Sequence, residues 1–103
     1  MDTWKRCTAD ILYYDGRPAV TNEGGYIVRL TDESIEVAYD DDDGAVCYRG
    51  KNTGDGHYQL TAAERNGRAS LHCFPNRHFL EGYWHEGDSR GMWRIELKDI
   101  DTN

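Results

Sequence analysis

The stretch HYQLTAAERNGRASLHCF, residues 57–74, decides the fold class. In each half every second residue is apolar, a pattern typical of a β-strand with one buried face. These apolar residues are Tyr58, Leu60 and Ala62 in the first half and Ala69, Leu71 and Cys73 in the second. The residues expected to face outwards in the second half are Ser70, His72 and Phe74. Asn66-Gly67 between the halves favours a tight turn, so the stretch predicts an antiparallel β-hairpin.

Similar short β-prone runs occupy the rest of the chain. Turn residues separate them about every 8 to 12 residues, a spacing typical of all-β barrels and sandwiches. The predicted runs cover residues 4–14, 26–30, 34–39, 45–49, 57–62, 68–74, 79–85 and 92–98, with a turn at 22–25. We expect a mainly β fold, an antiparallel meander of about seven to eight short strands. A small barrel is favoured over a two-sheet sandwich because closure removes exposed edges, and the tail 99–103 is expected to fray.

Length and composition indicate one cytoplasmic domain. The 103 residues suffice for a single β domain spanning 1–103, and seven Tyr and three Trp supplement a sparse aliphatic core. The chain has no run of about 18 apolar residues that could span a membrane, and its first residues do not resemble a signal peptide. The three cysteines contain no C-x-x-C pair, so we expect reduced thiols.

The net charge of −7 is concentrated in residues 23–43, which we call the acidic segment. Its acidic residues are Glu23, Asp32, Glu33, Glu36, Asp40, Asp41, Asp42 and Asp43. We expect these side chains to bind a protein with a basic surface, because charge segregation bears on partners. Regularly spaced carboxylates can imitate phosphates, so the partner class includes nucleic-acid-binding proteins, and the predicted function is that of a phage-type anti-defence inhibitor. Basic residues form no stripe along the chain, so direct binding of nucleic acid is not expected.

Residues 81–93, EGYWHEGDSRGMW, resemble a MORN repeat. That family repeats Y-x-G-x-W-x-x-G-x-x-x-G-x-G, and the matching residues here are Gly82, Trp84, Gly87 and Gly91. Trp93 stands where the family has its last glycine, and a fainter similarity lies within residues 48–58. The resemblance implies β-hairpins that pack as a meander and that mediate protein or lipid contacts.

Two other functions are left open by the sequence. One is a barrel that binds a small apolar ligand in its lumen. The residues expected to line such a lumen are Tyr58, Tyr83, Trp84 and Trp93. The other is a structural or oligomerisation module, present as a monomer or a dimer, that pairs through an edge strand.

Patterns for catalysis or cofactor binding are weak. Placing Gly44 sixth in an EF-hand loop puts Tyr39 first and Gly50 twelfth, so that calcium motif fails, although a looser cation site at the Asp40–Asp43 turn stays open. The cysteine and histidine spacings do not match a structural zinc site. Ser70 and His72 share a strand face, as a nucleophile and its base would, but the pattern shows no third residue to orient the histidine. We therefore expect no enzyme activity, no catalytic residues, no bound metal and no cofactor.

Overall fold

The computed structural model describes the backbone of residues 2–102 and the side chains of residues 2–100. Within these residues the chain forms nine β-strands and no α-helix. The strands are β1 (Asp2–Tyr13), β2 (Val20–Leu30), β3 (Ser34–Asp41), β4 (Gly44–Lys51), β5 (His57–Ala62), β6 (Gly67–His72), β7 (Phe79–Glu86), β8 (Ser89–Glu96) and β9 (Ile100–Thr102). A single 3-10 turn, Ala63–Arg65, connects β5 to β6.

The first eight strands form one closed antiparallel barrel, in which each strand pairs with the next along the chain. β1 closes the barrel because residues 2–11 pair with β2, whereas residues 8–13 pair with β8. Closure gives every strand of the barrel a partner on both sides, which removes the exposed edges of an open sheet. The prediction of a small antiparallel barrel is confirmed.

The C-terminal residues, which the sequence predicts to fray, form β9 over residues 100–102. This strand pairs with the start of β1, with Trp4 opposite Ile100 and Asp2 opposite Thr102. β1 begins to pair with β8 only at Thr8, so its first residues have a vacant backbone edge. β9 occupies that edge and supplies backbone hydrogen-bond partners to the first residues of β1.

The predicted turn at residues 22–25 lies within β2. Asn22 and Gly25 have positive φ values of 56° and 84°, as turn residues often do. The chain nevertheless continues along β1, and the register between the two strands shifts at three points. Such shifts are β-bulges, which absorb extra residues and bend a strand without ending it. One long bent strand therefore replaces the predicted short strand and turn.

The hairpin predicted for residues 57–74 is present, but its connection is longer than the expected two-residue turn. Asn66 has a positive φ of 49° and follows the 3-10 turn, whereas Gly67 is already the first residue of β6. Five of the six apolar residues are buried in the core as predicted, and the sixth, Cys73, is partly buried against it. Ser70, expected at the surface, is only 5% exposed, and its hydroxyl oxygen accepts a hydrogen bond from the backbone N–H of Tyr83 at 3.3 Å.

Two tryptophans and two glycines face each other across the β7–β8 hairpin, the segment that resembles a MORN repeat. Trp84 lies opposite Gly91, and Trp93 lies opposite Gly82. A Cβ atom at Gly82 would overlap the carbonyl oxygen of Ser70, and one at Gly91 would overlap that of Leu12. These glycines let neighbouring strands approach closely where the wall curves, and the large rings fill the space beside them. Both tryptophans belong to the core.

Candidate ligand-binding site

An open cavity of about 580 Å³ lies at one end of the barrel, which we call the mouth. The β3–β4 and β7–β8 hairpins turn at this end, and β1 leaves the barrel here. The cavity has the size of a typical small-molecule site. Six aromatic rings line it: Tyr13, Tyr26, Tyr39, Tyr48, Trp84 and Trp93. Its charged lining residues are Arg17, Glu23, Asp40, Asp41, Asp42 and Glu86.

The six rings form three contacting pairs. Tyr26 and Tyr39, from neighbouring strands, stack with their centroids 4.6 Å apart and an angle of 22° between their planes. Tyr48 meets Trp93 edge to face at 5.3 Å, and Tyr13 meets Trp84 in the same way at 5.5 Å. These geometries are favourable for aromatic side chains and hold each ring in place. The cavity therefore has rigid aromatic walls.

The carboxylate of Glu86 lies among these rings. Glu86 is the last residue of β7 and its side chain is half-buried. The hydroxyl of Tyr48 donates to its Oε1 at 2.5 Å, and the hydroxyl of Tyr39 lies 3.4 Å from the same atom. Glu86 Oε2 accepts no hydrogen bond from the described residues, and no side-chain oxygen among them is both buried and unpartnered. Oε2 therefore borders the cavity and can accept a donor from a ligand.

The three tyrosines around this carboxylate remain protonated. Burial raises the pKa of Tyr48 and of Tyr39 above the ordinary value of 10.0, and the negative charge of Glu86 raises both further. Burial also raises the pKa of Tyr26. The phenols of Tyr48 and Tyr39 can therefore serve as hydrogen-bond donors that hold Glu86 Oε1.

Gly67 makes room for the hydroxyl of Tyr48. A Cβ atom at this position would lie 2.6 Å from that hydroxyl and 3.1 Å from Cγ of Glu86. Gly67 pairs with Glu86 across β6 and β7, so it lies directly beside the carboxylate. The Asn66-Gly67 pair, a turn signal in the sequence, thus contributes a glycine whose missing side chain shapes the site.

Two arginines beside the mouth, Arg65 and Arg17, are held by other groups. Arg65 donates two hydrogen bonds of 2.7 Å to the two carboxylate oxygens of Asp41, and this contact lowers the pKa of Asp41. Arg17 donates to Asp15 at 2.8 Å and lies 4.2 Å above the ring of Tyr13. Within residues 2–100, no ion pair involves the remaining carboxylates of the mouth: Glu23, Asp40, Asp42 and Glu86. The mouth is therefore strongly electronegative.

The acidic segment does not form one continuous face. Glu23, Asp40, Asp41 and Asp42 line the mouth, and Asp43 lies at the exposed tip of the β3–β4 hairpin. Asp32 and Glu33 lie in the β2–β3 turn, at the other end of β3 and on the order of 23 Å away along the strand. Glu36 faces outwards between the two ends and forms an ion pair with Arg49 at 2.9 Å. The topology thus gathers only half of the predicted partner-binding residues at the mouth.

The residues predicted to line the lumen divide in a similar way. Trp84 and Trp93 line the cavity, whereas Tyr58 is buried in the core outside it. Tyr83 points away from the lumen and is 43% exposed, because neighbouring residues of a strand face opposite sides and Trp84 faces inwards. Tyr48 and Glu86 are not among the site residues predicted from the sequence, since only the barrel brings their strands together.

The cysteines, histidines and carboxylates of the described residues are the remaining candidates for metal binding or nucleophilic chemistry. They contain no cluster of histidine, cysteine or carboxylate side chains able to hold a metal ion. Cys7, Cys47 and Cys73 are free, and burial raises the pKa of each thiol, which disfavours the reactive thiolate. His72 Nδ1 lies 2.8 Å from Nδ1 of His57, its hydrogen-bond partner.

Within residues 2–102 the structure contains no helix that could span a lipid bilayer. Comparisons with protein families, with curated proteins and with solved structures found no match to the chain.

Proposed function

We propose that the protein is a cytoplasmic, non-enzymatic binding protein whose barrel mouth holds a small organic cation, such as a primary amine that carries a ring. The observation that supports this most directly is the position of Glu86 Oε2, a carboxylate oxygen that borders an aromatic cavity and has no donor among residues 2–100. An ammonium group can bond this oxygen while the faces of the surrounding rings attract its positive charge.

The electrostatics of the mouth favour the same ligand. Glu23, Asp40 and Asp42 surround the entrance and form no ion pair with the side chains of residues 2–100, so a cation is attracted before it makes contact. An anion would be repelled. An uncharged apolar ligand, the alternative expected from the sequence, would cover Glu86 Oε2 without giving it a hydrogen bond, and an unsatisfied buried carboxylate is costly. A cationic ligand would make a hydrogen bond to the carboxylate and a cation–π contact with the rings.

Glu86→Gln tests this function. Glutamine keeps a carbonyl oxygen for the Tyr48 hydroxyl but removes the charge that would face the ligand. We expect the affinity for phenethylammonium, measured by calorimetry and by tryptophan fluorescence, to fall about 10- to 100-fold, since a charge-assisted hydrogen bond contributes about 1.5–3 kcal/mol. The native protein should bind the uncharged analogue 2-phenylethanol far more weakly than the amine.

Glu33→Gln is the matched control, because it makes the same charge change at the other end of the barrel, at an exposed residue. It should bind the amine like the native protein. Equal binding of the amine and the alcohol by the native protein would refute the cationic ligand, and so would full affinity in the Glu86→Gln variant.

The tip of the β3–β4 hairpin favours a second candidate function, contact with a protein that has a basic surface. Asp40, Asp42 and Asp43 are exposed there, and no ion pair holds them within residues 2–100. Asp41 is fixed by Arg65 and accepts a hydrogen bond from the backbone N–H of Asp43 at 2.9 Å, so the tip is ordered before binding. An ordered row of carboxylates suits an inhibitor that imitates phosphates toward a nucleic-acid-binding protein.

Changing Asp40, Asp42 and Asp43 together to Asn should abolish this contact. We expect native protein on a resin to retain a basic protein at about 0.1 M salt and to release it at about 1 M, because exposed charges are screened at high ionic strength. The triple variant should retain none of it, whereas Asp32→Asn with Glu33→Gln should behave as native. Retention of the same protein by the triple variant would exclude the hairpin tip as the contact.

A further inference from the structure

We propose that the outer wall of β6, β7 and β8 binds a single strand of nucleic acid. A groove of about 660 Å³ runs along this wall close to the mouth but outside the barrel. Its lining is Tyr14, Arg68, Tyr83, His85, Arg90 and Gly91, which we call the basic face. The basic face contains two guanidinium groups, a histidine and two tyrosine rings, and no carboxylate.

Strand pairing brings these residues together from distant parts of the chain. Arg68 of β6 lies opposite His85 of β7, and His85 lies opposite Arg90 of β8. The backbone N–H of Tyr14 donates to the carbonyl of Arg90 at 3.0 Å, which places Tyr14 at the end of this row. Two strand spacings separate Arg68 from Arg90, about 10 Å. The two guanidiniums can therefore contact successive phosphates of one extended strand.

Both arginines are available to a ligand. Arg68 and Arg90 are exposed and take part in no ion pair within residues 2–100. Arg49 and Arg65, in contrast, are held by Glu36 and Asp41. A free guanidinium fork matches the geometry of a phosphate group and bonds it through two N–H donors.

The exposed rings of the basic face suit unpaired bases. Tyr83 is 43% exposed and Tyr14 is 59% exposed, although both are large aromatic residues on a small barrel. Bases stack on such rings with little dependence on sequence, and the combination of stacking rings with a positive groove is typical of proteins that bind single strands. A double helix would hide the base faces, so the rings favour a single strand.

The centre of the acidic segment lies across the barrel from this wall. In a closed barrel of eight strands, β7 lies diametrically opposite β3, the strand at the centre of the acidic segment. The shortest dimension of the molecule is 24 Å, about three Debye lengths at physiological salt. The charges on β3 and in the β2–β3 turn are therefore largely screened from a phosphate at Arg68. Asp15 and Asp88 lie nearer, in a pocket that they share with Tyr14, His85 and Arg90. The attraction for phosphate therefore comes from the free guanidinium groups of Arg68 and Arg90, and the wall as a whole also contains carboxylates.

A second groove on the same wall extends the surface beyond one nucleotide. Its volume is about 530 Å³, and its lining includes the exposed ring of Phe74 and the guanidinium of Arg94, which packs 4.0 Å above the ring of Phe79. Glu81 also lines it, 3.8 Å from Arg94. Tyr83 and Met92, which pair across β7 and β8, lie between the two grooves. This continuous strip fits a chain better than a free nucleotide.

The double variant Arg68→Gln/Arg90→Gln tests the proposal on the full chain. The probe is a fluorescein-labelled oligothymidylate of eight nucleotides, followed by fluorescence anisotropy at low salt. We expect the variant to bind about tenfold more weakly or worse, and the slope of log K against log salt to become shallower by about 1.4, the value for two lost phosphate contacts on a single strand. Tyr83→Ala should weaken binding about tenfold through lost stacking, without changing that slope.

Arg29→Gln/Lys51→Gln is the matched control, since it removes the same charge from exposed residues of β2 and β4, on the acidic side. It should change the affinity less than twofold, and circular dichroism should show all variants folded. Four results would overturn the proposal: no binding of the probe by native protein, equal loss in the control, binding of free thymidine monophosphate as tight as that of the oligomer, or a native dimer that the double variant abolishes.

Discussion

Gly91→Ala is expected to prevent normal closure of the barrel. Gly91 pairs with Tyr13 of β1 and with Trp84 of β7, at the seam where the last barrel strand meets the first. A Cβ atom here would overlap the carbonyl oxygen of Leu12 and lie 3.1 Å from Cζ2 of Trp84. Backbone on one side and a buried ring on the other leave no room for adjustment. The free energy of unfolding should fall by more than about 4 kcal/mol, a large part of the 5–15 kcal/mol typical of a domain.

Urea unfolding followed by tryptophan fluorescence measures this loss, and Gly24→Ala is the matched control. Gly24 has a negative φ, and an added Cβ there would meet no atom within 4 Å. The control should be as stable as the native protein or slightly more stable, because alanine restricts the unfolded chain. A Gly91→Ala variant within about 1 kcal/mol of native would show that β1 and β8 can separate at this point without cost.

Trp93→Ala should have the second largest effect on stability. Trp93 is 5% exposed, meets Tyr48 edge to face and donates from Nε1 to the carbonyl oxygen of Ser70 at 3.4 Å. Its removal enlarges the cavity at the mouth into the core and takes one donor from the Ser70 carbonyl oxygen, so we expect a loss of about 3–5 kcal/mol. Chemical denaturation should show the lower midpoint, with Trp84 and Trp4 as the remaining fluorophores.

Met92→Ala provides the control for Trp93, since Met92 is the preceding residue of β8 but faces outwards and is 39% exposed. We expect a change within about 0.5 kcal/mol. Trp93→Phe should lie between the two, because it keeps part of the ring and loses the hydrogen bond. Equal stability of the alanine variants at residues 92 and 93 would mean that Trp93 does not support the barrel wall.

The strands of the barrel follow from local patterns in the sequence. Alternation of apolar and polar residues assigns Ile35 and Val37 to the core, and both are buried. The runs predicted for 57–62 and 79–85 coincide with β5 and, within one residue, with β7. The strand assignment depends on local sequence because successive side chains of a strand point to opposite faces. A few neighbouring residues therefore suffice to predict which side chains are buried.

The longer strands and the tail depend on partners that are distant in sequence. The bulges of β2 keep Asn22 and Gly25 in a strand because β1 runs alongside and supplies hydrogen bonds. β9 forms because β1 offers it a free edge. Turn residues and a polar C-terminal segment indicate only the local backbone preference. Pairing with β1 overrides that preference in both places.

The candidate site was only partly predictable. The sequence by itself determined the all-β class, the acidic residues later found at the mouth, and the tryptophans of the MORN-like hairpin, since all three are local features. It could not place Glu86 beside Tyr48, because 38 residues separate them in sequence and only the closed barrel brings them into contact. The sequence also assigned Tyr83 to the lumen. Neighbouring residues of β7 face opposite sides of the sheet, so Tyr83 faces outwards while Trp84 faces inwards.

The distribution of charge also follows partly from the sequence and partly from the tertiary structure. The sequence alone determined that the negative charge is concentrated in residues 23–43, because those residues are consecutive. It showed no basic stripe, because Arg68, His85 and Arg90 are separated by acidic residues along the chain. Only the tertiary structure decided that these three lie in one row, and that the acidic segment is split between the two ends of β3. Strand pairing joins residues across the sheet, at about 4.8 Å per strand, whatever their separation in sequence.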